Sequence, residues 1–346
     1  MKHALLIYKA NKEYKNIGDY IQSVAASQFT GKDVIFIDRE QLNKYSGEEV
    51  KLIINGWFMH KPQNWPPSDK INPLIISFHI NPGKAEKMLS EEGIAYLKKH
   101  SPIGCRDKNT EKLLLSYGIP AYFSGCLTLT LGMTYKHTPK SENVYFVDPY
   151  FETSKKFSSI VSYLLVFLFN FKTILTICKK KYMNLSLKSL GKSVSFYKVY
   201  SKVFDPELLK ESTYINHMIL EKDLGGEREK FKLSEQLLQK YSEAKLVVTS
   251  RIHAALPCLG MDTPVIFVTN DYFNSPRVPS KQGRFDGLIE HLNVLEYSNE
   301  SLKPILGFQL REKIKIDTRI SNKRSHLKLV ERLVEKCNSF INSEDR

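Results

Sequence analysis

Cysteine is scarce in this chain, and its distribution excludes two classes of protein. The five cysteines are odd in number, widely scattered and never arranged as Cys-x-x-Cys, which argues against a disulfide framework and against a zinc site. They are Cys105, Cys126, Cys178, Cys258 and Cys337. HExxH and DxD motifs are also missing, so we predict neither a metal site nor a cofactor. The cysteine pattern fits a reducing compartment.

A long hydrophobic run is missing at the amino terminus. The apolar stretch Ala4–Ile7 is followed at once by polar sequence. A secretory signal needs a longer apolar region and a cleavage site of small residues. We therefore predict that this segment is a buried first strand and that the protein remains in the cytoplasm.

Acidic residues are absent from one long stretch of the chain. Between Thr153 and Phe204 there is no Asp or Glu, and ten lysines account for most of the formal charge of +14. These are Lys155, Lys156, Lys172, Lys179, Lys180, Lys181, Lys188, Lys192, Lys198 and Lys202. Such a block attracts nucleic acid, anionic lipid or phosphorylated substrates. The simpler alternative is a solvated basic face on a helical insertion.

What the sequence does contain is typical of a folded protein with alternating strands and helices. Hydrophobic residues make up 42% and charged residues 25%. A length of 346 residues suggests two domains of about 150 residues each. The first half predicts strands over His3–Tyr8, Asp33–Ile37, Lys51–Asn55, Pro73–His79 and Ile103–Cys105. Helices are predicted over Gly18–Phe29, Lys84–Lys99 and Asn109–Tyr117, so a parallel sheet is expected.

The same alternation begins again near residue 143. Strands are predicted over Asn143–Val147, Lys245–Thr249 and Pro264–Val268, with helices over Leu233–Tyr241 and Ile252–Leu259. The fold class is therefore α/β, with two facing Rossmann-like domains at residues 1–135 and 143–346. The second domain carries the basic and apolar insertion at about 153–204. Because ligands bind at the carboxyl ends of parallel strands, we expect the functional cleft between the two domains.

The segment Ser158–Ile177 interrupts this regular pattern. Ile160–Phe169 contains a single polar residue, but the sequence that follows is diluted by polar side chains. A membrane-spanning helix needs about 20 predominantly apolar residues, and this segment is shorter. A buried helix, a surface helix that dips into a membrane and a true span remain three alternatives.

Polar side chains that could carry chemistry follow the strand that ends at Thr249. Ser250, Arg251 and His253 come directly after it, where a helix begins. Backbone N–H groups at a helix start favour an anion, and an arginine there can bind phosphate or carboxylate through two parallel hydrogen bonds. A histidine two residues later can transfer a proton near neutral pH. The alternative is a structural capping network.

Similar positions occur in the first half of the chain. Asn16, Gly18 and Asp19 open the first predicted helix, where glycine allows close approach to a ligand and a carboxylate can accept a sugar hydroxyl. Arg106 directly follows a strand and could point into the same cleft, or pair with a neighbouring carboxylate. His79 also ends a strand, although a lone histidine in such a place is often structural.

These residues resemble the motifs of the polysaccharide pyruvyl transferase family. The strand that runs into Arg251-Ile252-His253 is the most recognisable feature, and Asn16-Ile17-Gly18-Asp19 is similar to the Asn-x-Gly-Asp turn of the family. Ile103-Gly104-Cys105-Arg106-Asp107 resembles its strand end that carries an arginine. Asn55 and Gly56 stand where many members have a glycine-rich run.

The resemblance implies a fold like that of the two-Rossmann (GT-B) glycosyltransferases. It also implies transfer of a pyruvyl group from phosphoenolpyruvate to two hydroxyls of a sugar, with release of phosphate. His253 would be the acid/base, and Arg251 and Arg106 would hold the donor. The remaining candidates for substrate binding are Asn16, Gly18, Asp19, Asn55, Gly56, His79 and Ser250. The acceptor would be a saccharide of a surface polysaccharide or its lipid-linked precursor.

Two other functions remain as alternatives. One is a nucleotide-sugar glycosyltransferase of the same architecture, and the other is a non-enzymatic basic protein that binds nucleic acid or membrane. No nucleic-acid recognition motif is present, so nucleic acid is not expected as a partner. A peripheral contact with the inner face of the cell membrane is also a hypothesis, with the three consecutive lysines Lys179, Lys180 and Lys181 meeting anionic head groups.

Overall fold

The computed structural model describes residues 1–9, 13–136, 140–153, 160–270 and 283–343. The chain is a mixed α/β protein in which helices flank two six-stranded sheets and a small two-stranded sheet joins them. The α/β class predicted from the sequence is confirmed. The arrangement of two facing domains, with boundaries at 135 and 143, stays a prediction.

The first sheet is parallel throughout, and the order of its strands across the sheet is β3-β1-β4-β5-β6-β7. Its strands are β1 (Lys2–Ile7), β3 (Val34–Asp38), β4 (Val50–Phe58), β5 (Ile71–Ile80), β6 (Ile103–Cys105) and β7 (Ala121–Phe123). All five strands predicted for the first half are present. The sixth, β7, has only three half-buried residues, which is too short for a recognisable pattern.

The second sheet repeats this order, β9-β8-β11-β12-β13-β14, and only its last pair is antiparallel. Its strands are β8 (Val144–Val147), β9 (Thr213–Ile215), β11 (Leu246–Thr249), β12 (Val265–Asn270), β13 (Asn293–Ser298) and β14 (Ser301–Ile305). In both sheets the second strand in chain order lies on one side of the first strand, and the third strand lies on the other side. Ligands bind at such switch points in open parallel sheets.

Helices connect the strands largely as predicted. They are α1 (Ile17–Ser27), α2 (Ala85–Met88), α3 (Glu91–Lys99), α4 (Lys108–Ser116), α5 (Gly132–Tyr135), α6 (Ile160–Tyr182), α7 (Leu187–Tyr200), α8 (Pro206–Glu211), α9 (Glu227–Glu243), α10 (Ile252–Gly260) and α11 (Leu327–Asn342). The prediction of a single helix over Lys84–Lys99 is wrong. It is divided because the Ser90 hydroxyl accepts from the Gly93 N–H and begins a new helix.

Several contacts tie the halves of the chain together, among them those of β2 (Tyr14–Asn16), of α11 and of α1 with α9. Strand β2 pairs with β10 (Met218–Leu220), so a segment just before α1 forms a small antiparallel sheet with the far half. The last helix, α11, packs against the first sheet, where the buried Lys51 ammonium donates to the carbonyl of Ile341 at 3.2 Å. Burial of apolar side chains from both sheets in one continuous cluster follows from these contacts.

The insertion forms a helical hairpin whose two ends differ in burial. Ile174, Ile177 and Cys178 of α6 are fully buried, and the two isoleucines belong to the core of the second sheet. Before Asn170, where the backbone leaves the helical conformation, the same helix is largely exposed. A helix that is long and apolar enough to span a membrane is found here, over Val161–Tyr182. Part of the predicted segment, residues 154–159, lies outside the described residues.

The lysines of the insertion do not form one solvated face. The Lys180 ammonium donates to carbonyls at the end of α8, including that of Lys210 at 2.7 Å. Lys198 pairs with Glu300 at 2.8 Å. Lys155 and Lys156 lie outside the described residues. The prediction that three consecutive lysines meet head groups together is therefore wrong for Lys180, because its charge is held by a helix end.

Helix α1 is held against β4 by close contacts at the Asn55–Gly56 bend. The Asn55 side-chain amide donates to the carbonyl of Gln22 in α1 at 3.0 Å. Gly56 has φ of 102°, and a Cβ atom there would lie 2.6 Å from Oε1 of the buried Gln22. Only glycine adopts this backbone conformation without strain while leaving room for the helix.

We predict that Gly56→Ala lowers the free energy of unfolding by about 1–3 kcal/mol, because it adds backbone strain and displaces Gln22. The matched control is Gly191→Ala in α7, where a Cβ atom would meet nothing within 4 Å. This control should leave stability unchanged or raise it by up to about 1 kcal/mol. Urea denaturation measures both, and equal midpoints for the two variants would contradict the expected strain.

Candidate active site

A cavity of about 910 Å³ lies at the carboxyl ends of strands from both sheets. The first half of the chain contributes Asn16, Asp19, Arg39, Trp57, His60 and Arg106. The second half contributes Asp148, Pro149, Tyr150, Phe151, Glu152, Thr153, Asn216, His217, Ser250, Arg251, Ile252, His253, Arg284 and Phe285. The helical hairpin adds Lys181, Tyr182 and Lys192. Cations outnumber carboxylates in this lining, so the cavity suits an anionic ligand.

The turn that carries Arg251 lies at the switch point of the second sheet and is fixed by hydrogen bonds. The Thr249 hydroxyl donates to the carbonyl of Val147 on the neighbouring strand and accepts from the Arg251 N–H at 2.9 Å. The Ser250 hydroxyl accepts from the Tyr150 N–H at 2.8 Å. The segments after β8 and β11 are therefore cross-linked by hydrogen bonds at the point where both enter the cavity.

Asp148 orients the guanidinium of Arg251. Its Oδ2 accepts from Arg251 Nε at 2.8 Å and from the His217 N–H at 2.9 Å. Asp148 has φ of 40°, a left-handed conformation that Asp and Asn tolerate better than most residues. Because the ion pair uses Nε–H, it sets the plane of the fork and favours binding of an anion by the terminal amino groups.

Arg106 is a buried cation without a hydrogen-bond partner among the described residues. Its side chain is 1% exposed, and neither Nε nor either Nη atom has an acceptor within reach in that part of the chain. The nearest carboxylate oxygen, Oδ2 of Asp107, is 3.9 Å from Nε. A buried guanidinium whose N–H groups have no acceptor is unfavourable, so the site favours a bound anion.

Asp107 is a nearby counterion of Arg106, but its oxygens accept hydrogen bonds from other groups and none from the guanidinium. Its Oδ1 accepts from the Thr110 N–H at 2.9 Å, and its Oδ2 accepts from Nδ1 of His79 at 2.6 Å. Burial, followed by the charge of Arg106, lowers the pKa of His79 to about 4, so this imidazole is neutral and Nδ1 carries its hydrogen. Burial raises the pKa of Asp107, but the contacts with His79 and Arg106 outweigh it and the carboxyl stays ionised.

Arg284 is a second cation beside Arg106. Burial and the charge of Arg106 lower its pKa to about 10, so it remains charged at neutral pH. Its Nε is buried with no hydrogen-bond partner among the described residues. Sequence reasoning missed Arg284 because it follows no predicted strand directly. Three arginines, 106, 251 and 284, therefore surround one end of the cavity.

His253 lies at the start of α10 and is 6% exposed. Burial, followed by the charges of Arg106 and Arg284, lowers its pKa well below the usual value of 6.5. Its Nε2 has no hydrogen-bond partner in the described part of the chain. The imidazole is thus neutral and has a ring nitrogen available for a ligand.

The Asn16–Asp19 turn supports His253 as well as lining the cavity. The Asn16 side-chain oxygen accepts from the Gly18 N–H at 3.2 Å and caps α1. A Cβ atom on Gly18 would lie 3.2 Å from Cβ of His253, so this glycine lets α1 approach the histidine. Asn16 and Asp19 line the cavity, whereas Gly18 does not.

Four predicted site residues lie away from the cavity lining. They are Gly18, Asn55, Gly56 and His79. Their observed contacts position other groups. Gly18 packs against His253, and Asn55 and Gly56 hold α1. His79 forms a hydrogen bond with the carboxylate of Asp107. A direct contact between any of them and a substrate stays a prediction. The other six candidates, Asn16, Asp19, Arg106, Ser250, Arg251 and His253, all line the cavity.

Lys181 was expected at a membrane surface, but it faces the cavity, and that prediction is wrong. Its ammonium lies over the rings of Phe196, Phe151 and Tyr214, at 4.7, 4.9 and 5.6 Å from their centroids. Burial lowers its pKa to about 7, while the ring faces favour its charged form. Two of these rings, Phe151 and Tyr214, lie outside the insertion, so no local sequence pattern identifies Lys181 as a cavity residue.

Comparison with known protein families gives a match over residues 16–272 of the 346, to the family described as polysaccharide pyruvyl transferase. The chain belongs to the polysaccharide pyruvyl transferase family. It is accordingly a transferase whose family indicates pyruvyl transfer to a saccharide acceptor. A search of curated proteins gives no match.

The family match covers most of the cavity of this pyruvyl transferase. It begins at Asn16 and includes Arg106, Arg251 and His253, whereas Arg284 lies beyond its end. No group of three or more His, Cys, Asp or Glu side chains in the described ranges is placed to hold a metal ion.

We predict that Arg106→Met leaves the ligand-free protein as stable as the wild type or up to about 4 kcal/mol more stable, since an unpaired buried charge is replaced by an apolar chain of similar length. Arg39→Met is the matched control. Arg39 also lines the cavity, but it pairs with the buried Glu40 at 3.0 Å, so its loss should destabilise by about 3 kcal/mol. Urea denaturation without ligand tests the opposite signs, and a loss of stability in Arg106→Met equal to that in Arg39→Met would show that Arg106 is structurally paired.

Proposed function

We propose that this transferase uses phosphoenolpyruvate as the donor and forms a cyclic ketal on two hydroxyls of a saccharide, with release of phosphate. The observation that carries the proposal is the fully buried guanidinium of Arg106, which has no partner among the described residues. Phosphoenolpyruvate has a phosphate and a carboxylate on the same carbon. A compact ligand with two anionic groups matches a cavity end surrounded by three arginines.

Each arginine has a distinct place in the proposed donor site. Arg251 is held by Asp148 and offers an oriented fork to one anionic group. Arg106 and Arg284 offer positive charge to the other, and the donor would supply acceptors for the three Arg106 nitrogens and for Arg284 Nε. Such preorganised cations also stabilise the phosphate as negative charge builds up on it during its departure.

The proposed reaction needs one proton at carbon 3 of the donor. That proton converts the methylene group to a methyl group and leaves a cationic centre at carbon 2, which a sugar hydroxyl attacks. The bond from carbon 2 to the phosphate oxygen breaks, its electron pair leaves with phosphate, and a second hydroxyl closes the ketal. The two hydroxyls lose two protons, of which one replaces the proton used at carbon 3 and the other leaves with phosphate.

His253 is proposed to handle these protons. Burial and the arginine charges lower its pKa, and the negative donor offsets those charges, so the imidazole can take up a proton when the donor binds and deliver it to carbon 3. The neutral imidazole that results can then accept a proton from the attacking hydroxyl. Asp19 and Asn16 line the same cavity and are proposed to bind acceptor hydroxyls, with Lys181 and Lys192 at the side of the hairpin.

Release of phosphate from phosphoenolpyruvate in the presence of candidate saccharide acceptors tests the proposal. Lipid-linked oligosaccharides and soluble oligosaccharides form two arms, and mass spectrometry of the product identifies the ketal. Nucleotide sugars form the control arm. Turnover of a nucleotide sugar with none of phosphoenolpyruvate would favour a glycosyltransferase, whereas salt-dependent DNA binding without turnover of either would favour a binding protein.

His253→Ala should lower kcat at least about 100-fold while leaving the unfolding midpoint close to that of the wild type. His100→Ala, in a residue that does not line the cavity, is the control. Because burial lowers the His253 pKa, the free enzyme is neutral there at every pH above 7 and takes up the proton only as the donor binds. Hence kcat/KM should fall about tenfold per pH unit from about pH 7 to 8 once Lys181→Met removes the cavity lysine with a pKa of about 7. A flat profile in that range would mean that His253 does not take up the proton for carbon 3.

Arg251→Lys should raise the KM for phosphoenolpyruvate by about tenfold or more, because an ammonium cannot keep the ion pair with Asp148 and also bind an anion through two hydrogen bonds. Arg311→Lys, at an exposed position outside the cavity, is the matched control. Initial rates over a range of donor concentrations measure the effect. An unchanged KM in a folded variant would remove Arg251 from the donor site.

A further inference from the structure

The first half of α6 presents an apolar face to solvent. The exposed side chains are Val161, Leu164, Leu165, Leu168, Phe169 and Phe171, which we call the α6 apolar face. Phe169 is 82% exposed and Leu168 is 64% exposed. Contiguous apolar surface of this kind is uncommon on soluble proteins and marks an interaction site.

The second half of the same helix prevents α6 from acting as a free membrane span. Ile174 and Ile177 are fully buried in the core of the second sheet, and the helix is interrupted at Asn170. The Asn170 side-chain oxygen accepts from the Tyr197 hydroxyl of α7 at 2.7 Å, which fixes the bend. An apolar surface is therefore held on a rigid support, so it can lie on a bilayer while the protein stays outside it.

Charge around the α6 apolar face indicates the kind of partner. Lys172, Lys179 and Lys188 are exposed on the hairpin, and the whole stretch from Thr153 to Phe204 contains no carboxylate. A symmetric contact with a second copy would bring these like charges together. An anionic lipid surface instead complements both the apolar side chains and the lysines.

The same hairpin also reaches the cavity. Lys181, Tyr182 and Lys192 line it, at the end of α6 opposite the apolar face and on the following helix. A protein docked through α6 would therefore hold its cavity within one helix length of the membrane surface. That arrangement suits an acceptor whose saccharide is attached to a lipid, a step that rests on the proposed function.

We propose that the α6 apolar face docks the protein on an anionic lipid bilayer, with Leu164, Leu168 and Phe169 entering the boundary between head groups and acyl chains. Lys172, Lys179 and Lys188 contact the head groups. Docking is reversible, because one partly inserted helix face and a few lysines do not anchor a protein permanently. It does not require turnover.

Co-sedimentation of the full chain with vesicles tests the docking. One vesicle preparation is phosphatidylcholine alone, and the other is an equal mixture of phosphatidylcholine and phosphatidylglycerol. Binding should require the mixed vesicles and should decrease as salt is raised. The double variant Leu164→Gln/Leu168→Gln should lower the partition coefficient at least about tenfold.

Matched variants separate the apolar and the charged contributions. Leu115→Gln/Leu327→Gln changes two leucines that are 51% and 44% exposed elsewhere, and it should bind like the wild type. Lys172→Gln/Lys179→Gln/Lys188→Gln should lower the partition coefficient at least about tenfold. Lys84→Gln/Lys87→Gln/Lys98→Gln removes the same charge from exposed sites on the first half and should bind normally.

Three results would overturn the proposal. The first is an equal partition coefficient on neutral and mixed vesicles, and the second is no binding to either. The third is an equal loss of binding in the α6 variants and their controls.

Sedimentation velocity without lipid tests whether a second copy of the chain binds the α6 apolar face instead. If the protein does not bind vesicles and forms a dimer that Leu164→Gln/Leu168→Gln dissociates, the face is assigned to a second copy. Phosphate release with a soluble acceptor should be unchanged in every variant, so failure of docking and failure of the proposed reaction are distinguishable.

Discussion

The unpaired charge of Arg106 is the constraint around which the cavity is arranged. Asp107 is the neighbouring residue, but the Thr110 N–H and the neutral His79 already occupy its oxygens. The guanidinium is therefore held in the interior without a hydrogen-bonded partner among the described residues, and its nearest carboxylate oxygen is 3.9 Å away. Burial, followed by the charge of Arg106, lowers the pKa of His253 and of Arg284, so the cavity combines a neutral histidine with concentrated positive charge. Binding of an anion relieves both conditions together.

The groups that position α1 beside His253 lie outside the cavity lining. Gly18 allows α1 to approach His253, while Asn55 and Gly56 hold α1 against β4. The pairing of β2 with β10 brings Asn16 to the far half of the chain. Hence several residues with the appearance of ligand contacts in the sequence act through packing. Their substitution is expected to alter stability before it alters chemistry.

A site residue could be predicted from the sequence when it directly follows a recognisable strand. Ser250, Arg251 and His253 follow a strand of strongly apolar residues, so their place at a sheet edge follows from the alternation of strands and helices. Asp148 ends a strand in the same way, but its pairing with Arg251 depends on β8 and β11 being neighbours across about one hundred residues. Arg284 and Lys181 follow no strand at all, and only folding brings them to the cavity.

The sequence by itself determined the α/β class, five strands of the first sheet and the residues at the main turn, because hydrophobic periodicity and strand ends are local properties of the chain. Tertiary structure decided which charges are paired. Lys180 caps α8, Lys181 faces aromatic rings, and Arg106 is left without a partner among the described residues. Pairing depends on distances between segments far apart in the chain, and burial then sets the strength of each electrostatic interaction. Local sequence contains neither quantity.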